Sequence, residues 1–266
     1  MSIRLAVVAA LGRMGQAIVM RIRKEGNALL VGATVEPGSA WVGKPLAEAL
    51  PGAGEVVLTD SLEALLSTTK VDAVIDFSTP LATATHAALC AKAGIALVVG
   101  TTGLSEAEHA ALATAAKRVP VLWAPNMSVG IQVLSLAIRE AARRLGAGWN
   151  VEVLEIHHKR KKDAPSGTAL KLAEDAAGAL GLSREHLRME RCGLIGERPE
   201  GEIGIQTLRG GEVIGEHTVF FFGEGERLEF KHGAQSREQF AQGALRAARW
   251  LQAKPAGLYG MGDVLS

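Results

Sequence analysis

Short runs of aliphatic and β-branched residues alternate along the chain with longer stretches in which apolar residues recur every three to four positions. That alternation predicts strands interleaved with amphipathic helices. Strand-like runs fall at residues 3–9, 29–35, 71–76, 95–99 and 120–123, with helical stretches at 14–24, 61–67, 81–93 and 105–117 between them. Such an order is the signature of a parallel sheet covered by helices. After Pro125-Asn126 the pattern changes, and a long helix near 128–145 precedes further strands and a helix near 167–180. Strand patterns at 203–208 and 213–222 flank Gly210-Gly211, which predicts a hairpin turn, and another strand follows at 227–232. The second half therefore reads as a mixed or antiparallel sheet. An Ala-rich helix at 236–250 is expected to pack back on the first domain, and the chain shows no internal repeat.

Composition adds bounds. A chain of 266 residues with 48% hydrophobic side chains suffices for one large or two modest domains. Lys and Arg number 29 against 28 Asp and Glu, so no global field recruits nucleic acid or an anionic membrane, and the basic run at 158–162 acts locally. The two cysteines, Cys90 and Cys192, fit a reducing compartment better than a disulfide framework, and neither has a metal-ligand partner near it in sequence. The N-terminus opens directly into a strand-like run, and no apolar stretch reaches the ~18 residues of a membrane span. A cytoplasmic protein with no metal, nucleic-acid or membrane partner is the expectation.

The first chemical signal is Ala9-Ala-Leu-Gly12-Arg13-Met14-Gly15, between the first strand and the first helix. A Gly-rich turn there lets a dinucleotide pyrophosphate approach the backbone, although a tight strand-to-helix turn without a ligand has the same appearance. Ala9 stands where a first glycine is expected. Glu36 strengthens the ligand reading, because it ends the second strand about 20 residues after the turn, where a carboxylate can bind ribose hydroxyls. Pro37 follows it in place of an arginine that would embrace a 2′-phosphate, so the local chemistry leans toward NADH, with Arg13 as a compensating cation and use of both cofactors left open.

Two further turns fall at the carboxyl edge of the same sheet, where ligands of open α/β folds bind. They are Asp76-Phe77-Ser-Thr-Pro80 and Gly100-Thr101-Thr102-Gly103, whose glycines would let a planar ring lie against backbone. Ordinary turn chemistry accounts for both equally well.

The segment Glu155-Ile-His157-His158-Lys-Arg-Lys161-Lys-Asp163-Ala-Pro165-Ser166-Gly167-Thr168 carries the most chemistry. It joins imidazoles and cations to a Ser-Gly-Thr that starts a helix. Ser166 caps that helix while the N–H groups of Gly167 and Thr168 face an anion, and a nearby histidine moves a proton near neutral pH. Alternate strand residues face opposite sides, so His157 and His158 share a pocket only where the strand has ended. Adjacent histidines without a third ligand do not define a zinc site.

These motifs, together with Ala124-Pro125-Asn126-Met127-Ser-Val-Gly130, Arg209-Gly-Gly-Glu-Val-Ile-Gly-Glu-His217 and His232-Gly-Ala-Gln-Ser-Arg237, resemble the dihydrodipicolinate reductase family of the route to diaminopimelate and lysine. The likeness runs nearly end to end, and the departure is the glycine turn, with Ala9 and Leu11 at positions often held by glycine. The resemblance implies an α/β fold with a Rossmann-like nucleotide-binding domain over 1–127, completed by 237–266. An inserted α+β domain over 128–236 would bind substrate and build a homotetramer, the apolar run 219–222 serving either that interface or the domain core. Hinges near 126–127 and 236–237 would close the domains over ligands. The implied reaction is NAD(P)H-dependent reduction of 4-hydroxy-tetrahydrodipicolinate, via dihydrodipicolinate, to tetrahydrodipicolinate.

By the same resemblance His157 donates the proton and Lys161 binds substrate and assists protonation, while His158, Ser166, Gly167 and Thr168 hold a carboxylate of the small dicarboxylate substrate. Gly12, Arg13, Met14, Gly15, Glu36, Phe77, Gly100, Thr101, Thr102, Ala124, Pro125, Asn126 and Met127 would form the site for NADH and/or NADPH. Two other readings stay open. A different NAD(P)-dependent amino-acid dehydrogenase on a similar scaffold explains the first half but has no need of the His-His…Lys…Ser-Gly-Thr array. A non-catalytic relative explains the altered glycine turn, against which stand the balanced charge and the lack of interleaved aromatic residues.

Overall fold

The computed structural model describes residues 2–266. In chain order the elements are β1 (Ile3–Val8), α1 (Arg13–Lys24), β2 (Ala28–Thr34), α2 (Leu46–Ala49), β3 (Leu58–Thr59), α3 (Leu62–Thr68), β4 (Ala73–Asp76), α4 (Pro80–Ala93), β5 (Ala96–Val99), α5 (Glu106–Ala115) and β6 (Pro120–Trp123). They continue with α6 (Val129–Leu145), β7 (Asn150–His157), α7 (Gly167–Ala179), β8 (Leu187–Arg188), β9 (Ile203–Arg209), β10 (Glu216–Phe222), β11 (Arg227–Gly233), α8 (Glu238–Leu251) and β12 (Gly257–Tyr259). The chain divides into two compact units: one runs to Val129 and resumes over Arg237–Ser266, and the other is Gly130–Ser236.

The first unit is a doubly wound α/β layer. Its seven strands lie in the order β12-β6-β5-β4-β1-β2-β3, every pair parallel, so all their carboxyl ends share one edge. The order reverses between β1 and β4, which makes that edge the place for a ligand crevice. Strands buried on both faces read as continuous apolar runs. Thus Leu5, Val7 and Ile75 pack with Ile18 and Ile22 of α1 and Leu245 of α8 on one face, while Val8, Val74, Leu97 and Val99 pack with Leu62 of α3 and Leu112 of α5 on the other. Burial of each such side chain contributes roughly 1.5–3 kcal/mol. Helix α8 belongs to this unit. Its Gly243 sits so close to the Met127 backbone that a Cβ there would lie 2.9 Å from the Met127 carbonyl carbon, and Glu238 bonds Lys24 of α1 at 3.0 Å.

Local signals place the helices. Ser105 and Glu108 form a capping box on α5. Pro80 occupies the first turn of α4, and Gly94 closes that helix in the left-handed region with φ 71°.

The second unit carries a five-stranded mixed sheet in the order β11-β10-β7-β9-β8, with α6 and α7 packed on one face. Strand β7 pairs parallel with β9 and antiparallel with β10. The hairpin expected around Gly210-Gly211 is therefore absent, because β7 lies between the two strands that those glycines connect. The loop instead wraps the end of β7, with Gly210 N–H donating to the His157 carbonyl at 3.0 Å and Lys159 N–H to the Gly211 carbonyl at 3.3 Å. Alternation identifies strands but not their neighbours.

The same alternation divides the run 219–222. Val219 and Phe221 are fully buried against α6 and α7, whereas Phe220 and Phe222 stand on the opposite face, half-buried and stacked at 5.7 Å. Beside them on that face are Leu154 and the exposed Leu208. Among the described residues no helix is long and apolar enough to cross a membrane.

Candidate active site

In the first unit the edge formed by the parallel strands carries a crevice of about 980 Å³, near the upper end of the roughly 300–1,000 Å³ common for ligand sites. Ala9, Leu11 and Gly12 from the β1–α1 turn line it, as do Glu36 and Pro37 after β2 and Asp60 after β3. Gly12 is the N-cap of α1 and uses no side chain to cap it, so the helix start faces the crevice as backbone. A Cβ at Gly12 would meet only the Ala9 carbonyl, at 3.2 Å, whereas a Cβ at Gly15 would lie 2.7 Å from the Ala10 Cα. Gly15 is thus demanded by packing of the helix on the turn that precedes it, and the protein itself leaves Gly12 open to a ligand. Ala9 takes the left-handed backbone of a glycine, with φ 52°, and keeps the turn: its carbonyl accepts from Gly12 N–H at 2.9 Å.

Arg13 is exposed and Met14 half-buried on the first turn of α1. Phe77, Gly100 and Ala124 follow β4, β5 and β6 at neighbouring positions along the same edge. The planar ring against Gly100 is that of Phe77 itself, whose Cδ1 would stand 2.7 Å from a Cβ at Gly100. That glycine is explained without a ligand ring. Thr101 is buried and its hydroxyl bonds Thr83 at 2.9 Å, while Thr102 is exposed. Ala124 N–H bonds the Val99 carbonyl at 3.1 Å, Pro125 is exposed, Asn126 Oδ1 accepts from Ser128 N–H at 2.8 Å, and the Met127 side chain is core. Met127 can meet a ligand through its backbone alone.

In the second unit the chemistry gathers at the end of β7. Glu155 is 0% exposed, and its Oε1 accepts from Ser166 N–H at 2.9 Å, Thr207 Oγ1 at 3.1 Å and Arg209 Nη2 at 2.8 Å. Its Oε2 accepts from Arg209 Nη1 at 2.8 Å and lies 2.5 Å from His157 Nδ1. Burial pushes this carboxyl upward, but the bonds from His157, Arg209 and Ser166 outweigh it and hold the group well below the ordinary carboxylate range. Cross-strand register explains the gathering: His232, His217, Glu155 and Thr207 form one row across β11, β10, β7 and β9, and His157 faces Arg209 in the next.

His217 is buried, with Nε2 3.1 Å from Ser166 Oγ and its ring edge-on to His157 at 5.1 Å. Burial foremost, then the neighbouring His157, pushes its pKa down to about 3, so it stays neutral. Ser166 caps α7 by accepting from Ala169 N–H at 3.1 Å, leaving Gly167 and Thr168 as the first residues of the helix. His158 lies just past the strand end, its Nδ1 buried without a hydrogen-bond partner among the described residues. Lys161 Nζ reaches both Asp163 carboxylate oxygens at 2.8 Å, which holds that carboxyl below its usual range.

All six residues expected in this site, His157, His158, Lys161, Ser166, Gly167 and Thr168, thus fall in one short stretch from the end of β7 to the start of α7. Glu155, Thr207, Arg209 and His217 complete the cluster, although the sequence alone assigns none of them a role. The available signal was period-two spacing, which puts Glu155 on the face of His157 and Thr207 on that of Arg209.

A doubly wound α/β unit with a crevice at its switch point has the architecture of dinucleotide-dependent oxidoreductases. Residues 3–127 match the family model for the dihydrodipicolinate reductase N-terminus and residues 130–265 the model for its C-terminus. The chain belongs to the dihydrodipicolinate reductase family. It is 51% identical to a 4-hydroxy-tetrahydrodipicolinate reductase of Myxococcus xanthus over 99% of this chain and 97% of the relative, and 45% identical to one of Thiobacillus denitrificans over 100% and 99%. Among solved structures it is similar to a dipicolinate-bound dihydrodipicolinate reductase from Paenisporosarcina, with TM-score 0.79, 27% identity and 99% of each chain covered.

Proposed function

We propose that the chain reduces 4-hydroxy-tetrahydrodipicolinate, via dihydrodipicolinate, to tetrahydrodipicolinate and water, as an NAD(P)H-dependent oxidoreductase of the diaminopimelate route to lysine. The observation that carries this reading is the gathering of His157 and the Ser166-capped start of α7 on Glu155, with Lys161 on the loop between them, in a chain 51% identical to a reductase of that name.

The first unit is read as the dinucleotide domain and the second as the substrate domain. The glycine turn presents the backbone N–H groups of Arg13 and Met14, at the start of α1, to a pyrophosphate. The row Phe77, Gly100-Thr101-Thr102 and Ala124-Pro125-Asn126-Met127 serves the nicotinamide end, and Glu36 bonds the adenosine ribose. When bound, the reduced cofactor supplies a hydride to ring C4 of the substrate. In the second unit Lys161 and the backbone of Gly167 and Thr168 hold the two carboxylates, with His158 and Ser166 beside them. His157 delivers a proton to the carbon next to C4, a task suited to an imidazole near neutral pH.

Glu36 followed by Pro37 favours NADH, since a 2′-phosphate would meet a carboxylate and no guanidinium at that point. The sheet face bearing Leu154, Leu208, Phe220 and Phe222 is read as the surface through which four copies associate. Light scattering on the purified chain tests that assembly. The activity is tested by following absorbance of NADH and of NADPH with freshly prepared 4-hydroxy-tetrahydrodipicolinate; folded protein that turns over neither overturns the reading.

A further inference from the structure

We infer that Glu155 is the positioning carboxylate of the site, fixing the His157 tautomer and tying that imidazole to the helix start that receives the substrate carboxylate. An ionised carboxylate only accepts hydrogen bonds. All five donors around Glu155 satisfy that demand: the Arg209 fork on both oxygens, Ser166 N–H and the Thr207 hydroxyl on Oε1, and His157 Nδ1 on Oε2. His157 Nδ1 therefore carries a proton, and Nε2 is the nitrogen that exchanges one with the substrate. Gly215 makes room for that nitrogen, since a Cβ at residue 215 would lie 2.9 Å from His157 Nε2.

The arrangement does two things at once. It orients the ring, as a buried carboxylate behind a catalytic imidazole does in hydrolytic triads, and it fixes which ring nitrogen faces the substrate. Through Ser166 N–H the same carboxylate also sets where α7 begins, so the proton donor and the anion-binding turn share one anchor. The other charged or titratable groups around the imidazole are Arg209 on β9, His217 on β10, His232 beyond it on β11, and the Lys161–Asp163 pair on the loop. Arg209 is committed to Glu155, and Lys161 is committed to Asp163. Glu155 is the anion in direct contact with the ring.

The inference deepens the proposed function and rests on it for its kinetic arm alone. Selective ¹⁵N labelling of histidine, with the His157 signals assigned by their loss in His157→Gln, reads the tautomer without any turnover. The expected spectrum shows neutral His157 protonated on Nδ1; protonation on Nε2 overturns the inference even in an active enzyme. In the kinetic arm Glu155→Gln, whose amide oxygen still accepts from Ser166 N–H, lowers kcat about 10²-fold or more and leaves KM for substrate within about threefold. In the His157→Gln background the same change costs no more than about twofold, because Glu155 acts through the imidazole. Equal losses in both backgrounds would show a structural role only. If Glu155→Gln does not fold, Thr207→Val weakens the same carboxylate's anchorage, and a several-fold loss in kcat that vanishes in His157→Gln is the expected result.

Discussion

Gly15 packs so closely against the β1–α1 turn that a Cβ on it would stand 2.7 Å from the Ala10 Cα, whereas three residues earlier Gly12 meets only the Ala9 carbonyl at 3.2 Å. The two glycines of one turn thus have different physical causes. Gly15→Ala forces the helix and the turn before it apart and is expected to cost about 1–3 kcal/mol in a denaturant titration. Gly12→Ala, at an N-cap with φ −68°, is expected to cost about 1 kcal/mol or less in stability but to weaken NADH binding by calorimetry. Unchanged NADH affinity in Gly12→Ala would remove the turn from the cofactor site.

Ala9 bears a different kind of strain. A left-handed backbone costs an L-residue about 1–2 kcal/mol, against which glycine loses roughly 0.5–1 kcal/mol more chain entropy on folding. Ala9→Gly is therefore expected to raise stability by about 0.5–1 kcal/mol, read as a higher urea midpoint at constant slope. A lower midpoint would mean that the methyl packs well enough to outweigh the strain.

Acid should weaken the fold in two windows that begin at different pH and overlap below 4.5. His217 has a folded pKa near 3 against an ordinary 6.5, so the unfolded chain takes up its proton first and stability falls as pH drops from about 6.5 toward 3. One such proton changes stability by at most about 1.4 kcal/mol per pH unit. The Glu155 contribution has the same sign but starts only below the ordinary 4.5, because that carboxyl stays ionised in the folded state. Between pH 6 and 5 the slope of stability on pH is expected to fall by close to one proton in His217→Gln, while the burial-depressed His232 keeps its own share. An unaltered slope would place a charge on His217 in the folded protein.

Much of this was legible in the chain. The five apolar runs at 3–9, 29–35, 71–76, 95–99 and 120–123 became β1, β2, β4, β5 and β6 within two residues at each end, because buried parallel strands leave continuous apolar runs. Strands β3, β8 and β12, of two or three residues, are too short for any period to register. Neighbours were harder to read than elements: Gly210-Gly211 has hairpin chemistry, yet β7 from 50 residues earlier takes the central slot. The same limit hid Arg209 and His217 as partners of Glu155, since their meeting depends on two different strand pairings of β7.

If the crevice takes the adenosine end of the cofactor as proposed, its lining sets the expected cofactor preference. Glu36 and Asp60 both line it, Pro37 offers no donor, and Lys44 is placed over the Trp41 ring at 5.1 Å. A 2′-phosphate would add roughly two negative charges beside the carboxylates. The expected ratio of kcat/KM for NADH over NADPH is about tenfold, equivalent to about 1.4 kcal/mol. Pro37→Arg is expected to narrow that ratio through NADPH alone; a wild-type preference for NADPH would shift the phosphate contact to Arg13 or Lys44.

The division of labour between His157 and Lys161 is separable by experiment, because the two groups sit in different surroundings. His157 is braced by a buried carboxylate and has one nitrogen left for chemistry, whereas Lys161 holds Asp163 through a pair that a substrate carboxylate can replace. His157→Gln is expected to lower kcat by orders of magnitude while the dicarboxylate dipicolinate still binds. Lys161→Ala is expected to lower kcat as well and to weaken dipicolinate binding about tenfold or more, since a charge-assisted bond contributes about 1.5–3 kcal/mol. Both variants should bind NADH in calorimetry as the unaltered chain does, because neither residue belongs to the unit that carries the crevice. Loss of NADH binding in either variant would sink the assignment of separate cofactor and substrate units, and full dipicolinate affinity in Lys161→Ala would transfer the carboxylate contact to His158 and the start of α7.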